Sequence, residues 1–160
     1  MAEKKLSTTK STNTNVVDVE LSEIRKKVFR FDKDDNRMVE LNIADMGIMS
    51  RLAETYPKLE EWMGEVRNIK TVDEDNVMED ISNIGNTLTE IDTKMRDAID
   101  YIFNAKLSAV AAPDGTMYDI FNGQFRFEYI LELMLSQYEN NMVNEFKKMQ
   151  KHTQKYSKTG

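Results

Sequence analysis

Two short stretches near the start of the chain alternate apolar and polar residues with period two: Lys27-Val28-Phe29-Arg30-Phe31 and Met38-Val39-Glu40-Leu41-Asn42-Ile43. That period belongs to half-buried strands and puts Phe29 and Phe31 on one face with Val39, Leu41 and Ile43. The polar, turn-prone run Asp32-Lys33-Asp34-Asp35-Asn36-Arg37 between them predicts a β-hairpin with one apolar side. An isolated hairpin is marginal in water, so that side must lie on helices.

From Asp45 the period changes. Asp45 is placed to cap a helix through Met46, Ile48, Met49, Leu52 and Ala53, and Pro57 is expected to interrupt or restart it. The continuation carries Leu59, Trp62, Met63, Val66 and Ile69 on one side, with Trp62 as a core anchor. Thr71-x-x-Glu74 forms a capping box ahead of Val77, Ile81, Ile84, Leu88, Ile91, Met95, Ala98 and Ile102, spaced alternately by four and three. This heptad seam requires a partner helix, either within the chain as an antiparallel bundle or in a second subunit. Ala112-Pro113-Asp114-Gly115-Thr116 is a turn by composition, and Asn122-Gly123 marks another bend. Phe125, Phe127, Ile130, Leu131, Met134, Leu135, Tyr138, Met142, Phe146 and Met149 then form a broad stripe on a helix reaching about Lys151, the expected mate of the seam.

The fold expected is therefore mainly α, a helical bundle with a small N-terminal β-hairpin and a flexible N-terminal arm. Residues 1–15 form the arm, 16–44 the hairpin region, 45–155 the bundle and 156–160 a tail. The arm is Lys, Ser, Thr and Asn with almost no apolar content, too little to offset the entropy of ordering. A length of 160 residues suits one core.

Composition narrows the function classes. Without cysteine there is no disulfide framework or thiolate cluster, and a reducing compartment, the cytoplasm, is the expectation. The first 15 residues lack the apolar centre of a secretory signal, and nowhere do 18 consecutive apolar residues occur, so no membrane partner is expected. A net charge of −6 argues against a specific nucleic-acid partner. The charge is uneven: residues 71–123 are strongly acidic, whereas Lys147, Lys148, Lys151, Lys155 and Lys158 follow one another with no acid between them. Those lysines suit the negative pole of a helix dipole, or a contact with phosphate or an acidic partner.

Catalytic constellations are wanting. Asp32, Asp34 and Asn36 match the first ligand positions of a calcium loop, but Arg37 stands where the loop needs glycine and Ile43 where it needs a bidentate glutamate. His152 is the only histidine and has no ligand set or nucleophile beside it in sequence. The glycines are scattered singly, with no phosphate loop. Asp73, Asp75, Glu79 and Asp80 are read as acids complementing a helix N-terminus. Among the eleven methionines, Met46, Met49, Met63, Met78, Met95, Met134, Met142 and Met149 fall mostly at core-facing spacings and are read as core filling. The expectation is a protein that binds other proteins, catalyses nothing and takes no cofactor.

At Asp100-Tyr101-Ile102-Phe103-Asn104 and across Gly115-Thr116-Met117-Tyr118-Asp119-Ile120-Phe121-Asn122-Gly123-Gln124-Phe125-Arg126-Phe127-Glu128, the chain resembles the small tail assembly chaperones of tailed bacteriophages, particularly those of Gram-positive hosts. The resemblance spans about residues 20–150. It implies a factor in the host cell cytoplasm that coats the tape-measure protein, keeps its helices soluble and helps tail-tube subunits polymerise. Tape-measure and tail-tube proteins would be its partners, with a second copy of the chain a further candidate. The alternative is a structural tail or head-tail joining component retained in the virion. Tyr118 and Phe121, lying between turns, are the candidate partner-binding aromatics, and Lys147, Lys148 and Lys151 the candidate partner-binding charges.

Two expectations concern folding. Ile84 and Ile91 occupy equivalent seam positions, so an aspartate at either should unfold or badly loosen the protein. Removal of residues 1–14, which carry no apolar anchor, is predicted to leave the thermal midpoint within a few degrees of the full chain, as differential scanning calorimetry would show.

Overall fold

The computed structural model describes residues 15–21, 26–69 and 75–158, with side chains through 152. Most of the arm and the Thr71–Glu74 capping box lie outside the described residues. The chain is mainly helical, with a small antiparallel hairpin ahead of the helices.

Strand β1 (Lys26–Arg30) pairs with β2 (Met38–Asn42), Phe29 opposite Val39 and Lys27 opposite Leu41. Phe29, Phe31, Val39 and Leu41 turn toward the core, whereas Val28 and Met38 face out. Asp32 and Lys33 at the tip both take positive φ, 53° and 58°, the backbone hand that matches strand twist. The Asp34 amide closes this turn on the Phe31 carbonyl at 3.0 Å, and the Asn36 amide donates to Asp34 Oδ1 at 2.9 Å.

Helix α1 (Gly47–Arg67) runs unbroken through Pro57, contrary to the expected interruption. Proline removes only the amide that would bond the carbonyl of Ala53, and both residues are exposed, so water can serve that carbonyl. The N-cap is Met46, without a side-chain cap bond, and not the expected Asp45, which instead braces the entry from one residue earlier: one carboxylate oxygen accepts the Gly47 amide at 2.8 Å and the other binds Arg51 at 2.6 Å.

Helix α2 (Val77–Phe103) packs against α1, which buries Ile48, Leu59 and Met63. Arg51 bonds the Ile102 carbonyl and Glu54 the Tyr101 hydroxyl, so the start of α1 lies at the end of α2 and the two run antiparallel. Helix α4 (Arg126–Lys158) also carries the expected stripe, but its direction differs from that of a simple mate. The Met117 amide binds Asp92, the Phe127 amide binds the Met117 carbonyl, and the Phe103 and Tyr138 rings lie 5.8 Å apart. Residues 127–138 thus run alongside 92–103 in the same direction. The reason is the connection, residues 104–125, which travels back up α2 before α4 begins. It contains α3 (Ser108–Ala111) and a second hairpin, β3 (Ile120–Phe121) with β4 (Gln124–Phe125). Asn122 and Gly123 take φ of 52° and 74°, so the expected bend is a two-residue hairpin turn. The chain leaves α2 through Asn104, at φ 51°: the Ala105 amide returns to the Asp100 carbonyl and the Asn104 amide to that of Tyr101, which satisfies helix-end carbonyls as a Schellman motif does.

Because α2 and α4 are parallel but offset, each outruns the core at an opposite end. Along the seam, Ile91, Met95, Ala98 and Ile102 are buried, Ile84 and Leu88 are half-buried, and Val77 and Ile81 are 40% and 50% exposed. Along α4, burial extends to Tyr138, Met142 is half-buried, and Phe146 and Met149 are exposed. The methionine reading is corrected accordingly: Met63, Met95 and Met134 fill the core, but Met46, Met49, Met78 and Met149 lie on the surface. Helical spacing marks a face, and here the face continues beyond the elements that cover it.

The equivalence of Ile84 and Ile91 fails for the same reason. Ile91→Asp is predicted to destabilise by several kcal/mol, as a buried unpaired carboxylate does, whereas Ile84→Asp should cost no more than about 1–2 kcal/mol. Urea unfolding of the two variants measures the difference; equal losses would mean that the open half of the seam is core.

Candidate functional surface

The return segment has little regular structure, so most of its carbonyls need partners from elsewhere. Arginines from four elements bond several of them and the adjoining end of α2. Arg51 of α1 donates to the Ile102 carbonyl at 2.9 Å. Arg37, at the turn end of the first hairpin, donates to the carbonyls of Val110 at 2.8 Å and Ala111 at 3.3 Å. Arg96 of α2 reaches the carbonyls of Ala112 at 2.9 Å and Gly115 at 3.1 Å. Arg126, opening α4, binds the Asp114 carbonyl. Each guanidinium also faces one carboxylate: Asp45, Asp32, Asp92 and Asp119 respectively. The Thr116 hydroxyl, with the charges of Arg126 and Arg96, holds the Asp119 carboxyl below its ordinary pKa. Gly115 sits at φ 72° where a Cβ would strike the Asp119 carboxylate, so glycine is required there.

This bracing shapes a groove of about 590 Å³ between the first hairpin, the second hairpin and the first turns of α4. Ala111, Ile130 and Met134 form its buried floor, and Phe31, Ile120, Phe121, Tyr129 and Leu133 its walls. The Arg37–Asp32 and Arg126–Asp119 pairs stand at the rim. Ile120 is 67% exposed, and Phe121 meets the edge of Tyr129 with ring centroids 5.1 Å apart. An apolar trough with a charged rim is suited to apolar side chains presented by another chain.

The sequence-based candidates are not brought together. Phe121 lines the groove, but Tyr118 packs against the core on the side nearer Asp92, and burial first, then the Asp92 charge, raises its hydroxyl above the usual tyrosine range. Tyr118 is therefore a packing residue with one open edge. Lys147, Lys148 and Lys151 are exposed, but Lys147 lies about 20 Å along α4 from Leu133 at the groove wall. Lys148 faces Glu145 at 3.3 Å. Ile120, Tyr129, Leu133, Arg37 and Arg126 were not singled out from sequence. The signal available was Asn122-Gly123 flanked by apolar residues, which marks a hairpin and places Ile120 and Phe121 beside its turn.

Among the described residues, no group of three or more histidines, carboxylates or cysteines is placed to hold a metal ion. Asp32 and Asp34 of the calcium-like sequence are directed to Arg37 and to the Asn36 amide. No described helix is long and apolar enough to cross a membrane. Compared with known families, curated proteins and solved structures, the chain matches none.

The two aromatics should separate in a stability measurement. Tyr118→Ala is predicted to destabilise by about 1–3 kcal/mol, through lost packing beside Asp92, and Phe121→Ala by less than about 1 kcal/mol. Chemical denaturation of both variants checks this, and reversed magnitudes would exchange their roles.

Proposed function

We propose that this chain is a non-enzymatic protein-binding factor of bacteriophage tail assembly that chaperones the tape-measure protein in the host cytoplasm and helps tail-tube polymerisation. The observation that carries the binding role is the groove, where Ile120, Phe121, Tyr129 and Leu133 present apolar surface beside arginines already committed to structure. Exposed apolar walls over a rigidly braced floor favour capture of a partner's side chains. The tail-assembly role rests on the resemblance in residues 100–104 and 115–128, and the groove-lining Ile120 and Phe121 belong to that stretch. Arg37, Arg126, Asp32 and Asp119 form ion pairs with one another in twos, an arrangement that orients a rim.

Ile120→Asp combined with Phe121→Ala is expected to weaken binding to purified tape-measure fragments at least tenfold, about 1.4 kcal/mol, while the melting temperature stays within a few degrees. Tails should fail to form without the gene, and mass spectrometry of purified virions should not find the protein. Its presence at structural copy number would favour the virion-component alternative. Normal tails in its absence would overturn both readings.

A further inference from the structure

The two helix extensions beyond the core are complementary. On α2, Val77, Ile81, Ile84 and Leu88 continue the four-three spacing of the buried seam, and the accompanying charges in residues 75–90 are Asp75, Glu79, Asp80 and Glu90, with no lysine or arginine. On α4, Met142, Phe146 and Met149 continue the same spacing past Tyr138, and the charged residues there are Glu139 and Glu145, the latter facing Lys148 at 3.3 Å, followed by Lys147, Lys148, Lys151, Lys155 and Lys158 with no further acid, a net positive balance. The core places these extensions at opposite ends of the molecule. Residues 81 and 146 are separated by about 45 Å along the parallel helices, so the two extensions cannot meet within one copy.

We propose that copies of this chain associate head to tail, the acidic α2 extension of one copy lying along the basic α4 extension of the next. Both carry an apolar stripe of heptad spacing, and α2 and α4 already run in the same direction inside each copy, so a stacked neighbour presents its α2 extension parallel to α4. Opposite charges flanking matched stripes select this pairing over α2 with α2 or α4 with α4, where like charges would face one another. The contact is heterologous: an open array ends in one unused α2 extension and one unused α4 extension, and growth continues unless the ring closes.

Sedimentation velocity of the full chain should show concentration-dependent species beyond a dimer that dissociate as salt is raised. Glu79→Lys with Glu90→Lys, and separately Lys147→Glu with Lys151→Glu, should each weaken association at least tenfold, and mixing the two variants should restore it, because each then offers the other an opposite charge. The chain has no native cysteine, so Ile81→Cys with Phe146→Cys gives a direct geometric readout. Mild oxidation should yield a ladder of covalent oligomers, since a disulfide needs Cα atoms within about 7 Å and no intrachain bridge can form. Circular dichroism melts of every variant establish that the fold persists, as exposed positions imply. A monomer at all concentrations, a closed dimer indifferent to the charge reversals, or a dimer trapped as readily by Ile81→Cys alone would overturn the proposal.

Discussion

Carbonyl groups without a ladder of their own govern this structure. The chain leaves α2, returns along it and turns into α4 through about twenty residues with little regular hydrogen bonding, and the cost of leaving such carbonyls bare is comparable to that of a lost hydrogen bond each. Arg37, Arg96 and Arg126 meet part of that requirement from the hairpin, α2 and α4, and Arg51 of α1 bonds the Ile102 carbonyl at the adjoining end of α2, so this region becomes the hub to which otherwise separate elements are tied. Lysine would serve poorly here. The guanidinium fork can bond two carbonyls and a carboxylate in one plane, which is the geometry that Arg37 and Arg96 exploit. The groove follows from the same bracing, because its floor at Ala111 and its wall at Ile120 are fixed by contacts directed elsewhere.

The fold class was legible because two different periods are written without ambiguity: two at Phe29–Phe31 and Val39–Leu41, and three to four from Ile48 onward. What could not be read was direction. Spacing identifies a buried face on α2 and another on α4 but carries nothing about whether the intervening residues turn sharply or run back, and that choice decides that α4 is parallel to α2. Pro57 misled because proline's effect on a helix depends on whether the freed carbonyl is wet. Of the binding candidates, Phe121 was recoverable, since it flanks a hairpin turn; Tyr118, three positions earlier, had the same composition around it but is half-buried against the core. Arginines bonding distant carbonyls leave no local pattern at all.

Burial along the two long helices has a gradient that composition mirrors. Where α2 is covered, its apolar residues sit beside Asp92 and Asp100, each engaged by the return segment; where it is uncovered, the flanks are amides, threonines and acids. Helix α4 changes in the reverse order, from aromatic and leucine-rich to lysine-rich. The rigid apolar trough near the middle is thus kept apart from the extended helical surfaces of opposite sign at the extremities.

The N-terminal hairpin has a consequence for the order of synthesis. It is made before the groups that brace it: the Ile43 carbonyl waits for Asn141, 98 residues later, and Arg37 waits for the carbonyls of Val110 and Ala111. Two strands alone do not hold together in water, so Phe29, Val39 and Leu41 wait for elements made long after them, and the hairpin is held in place only once α4 has been made.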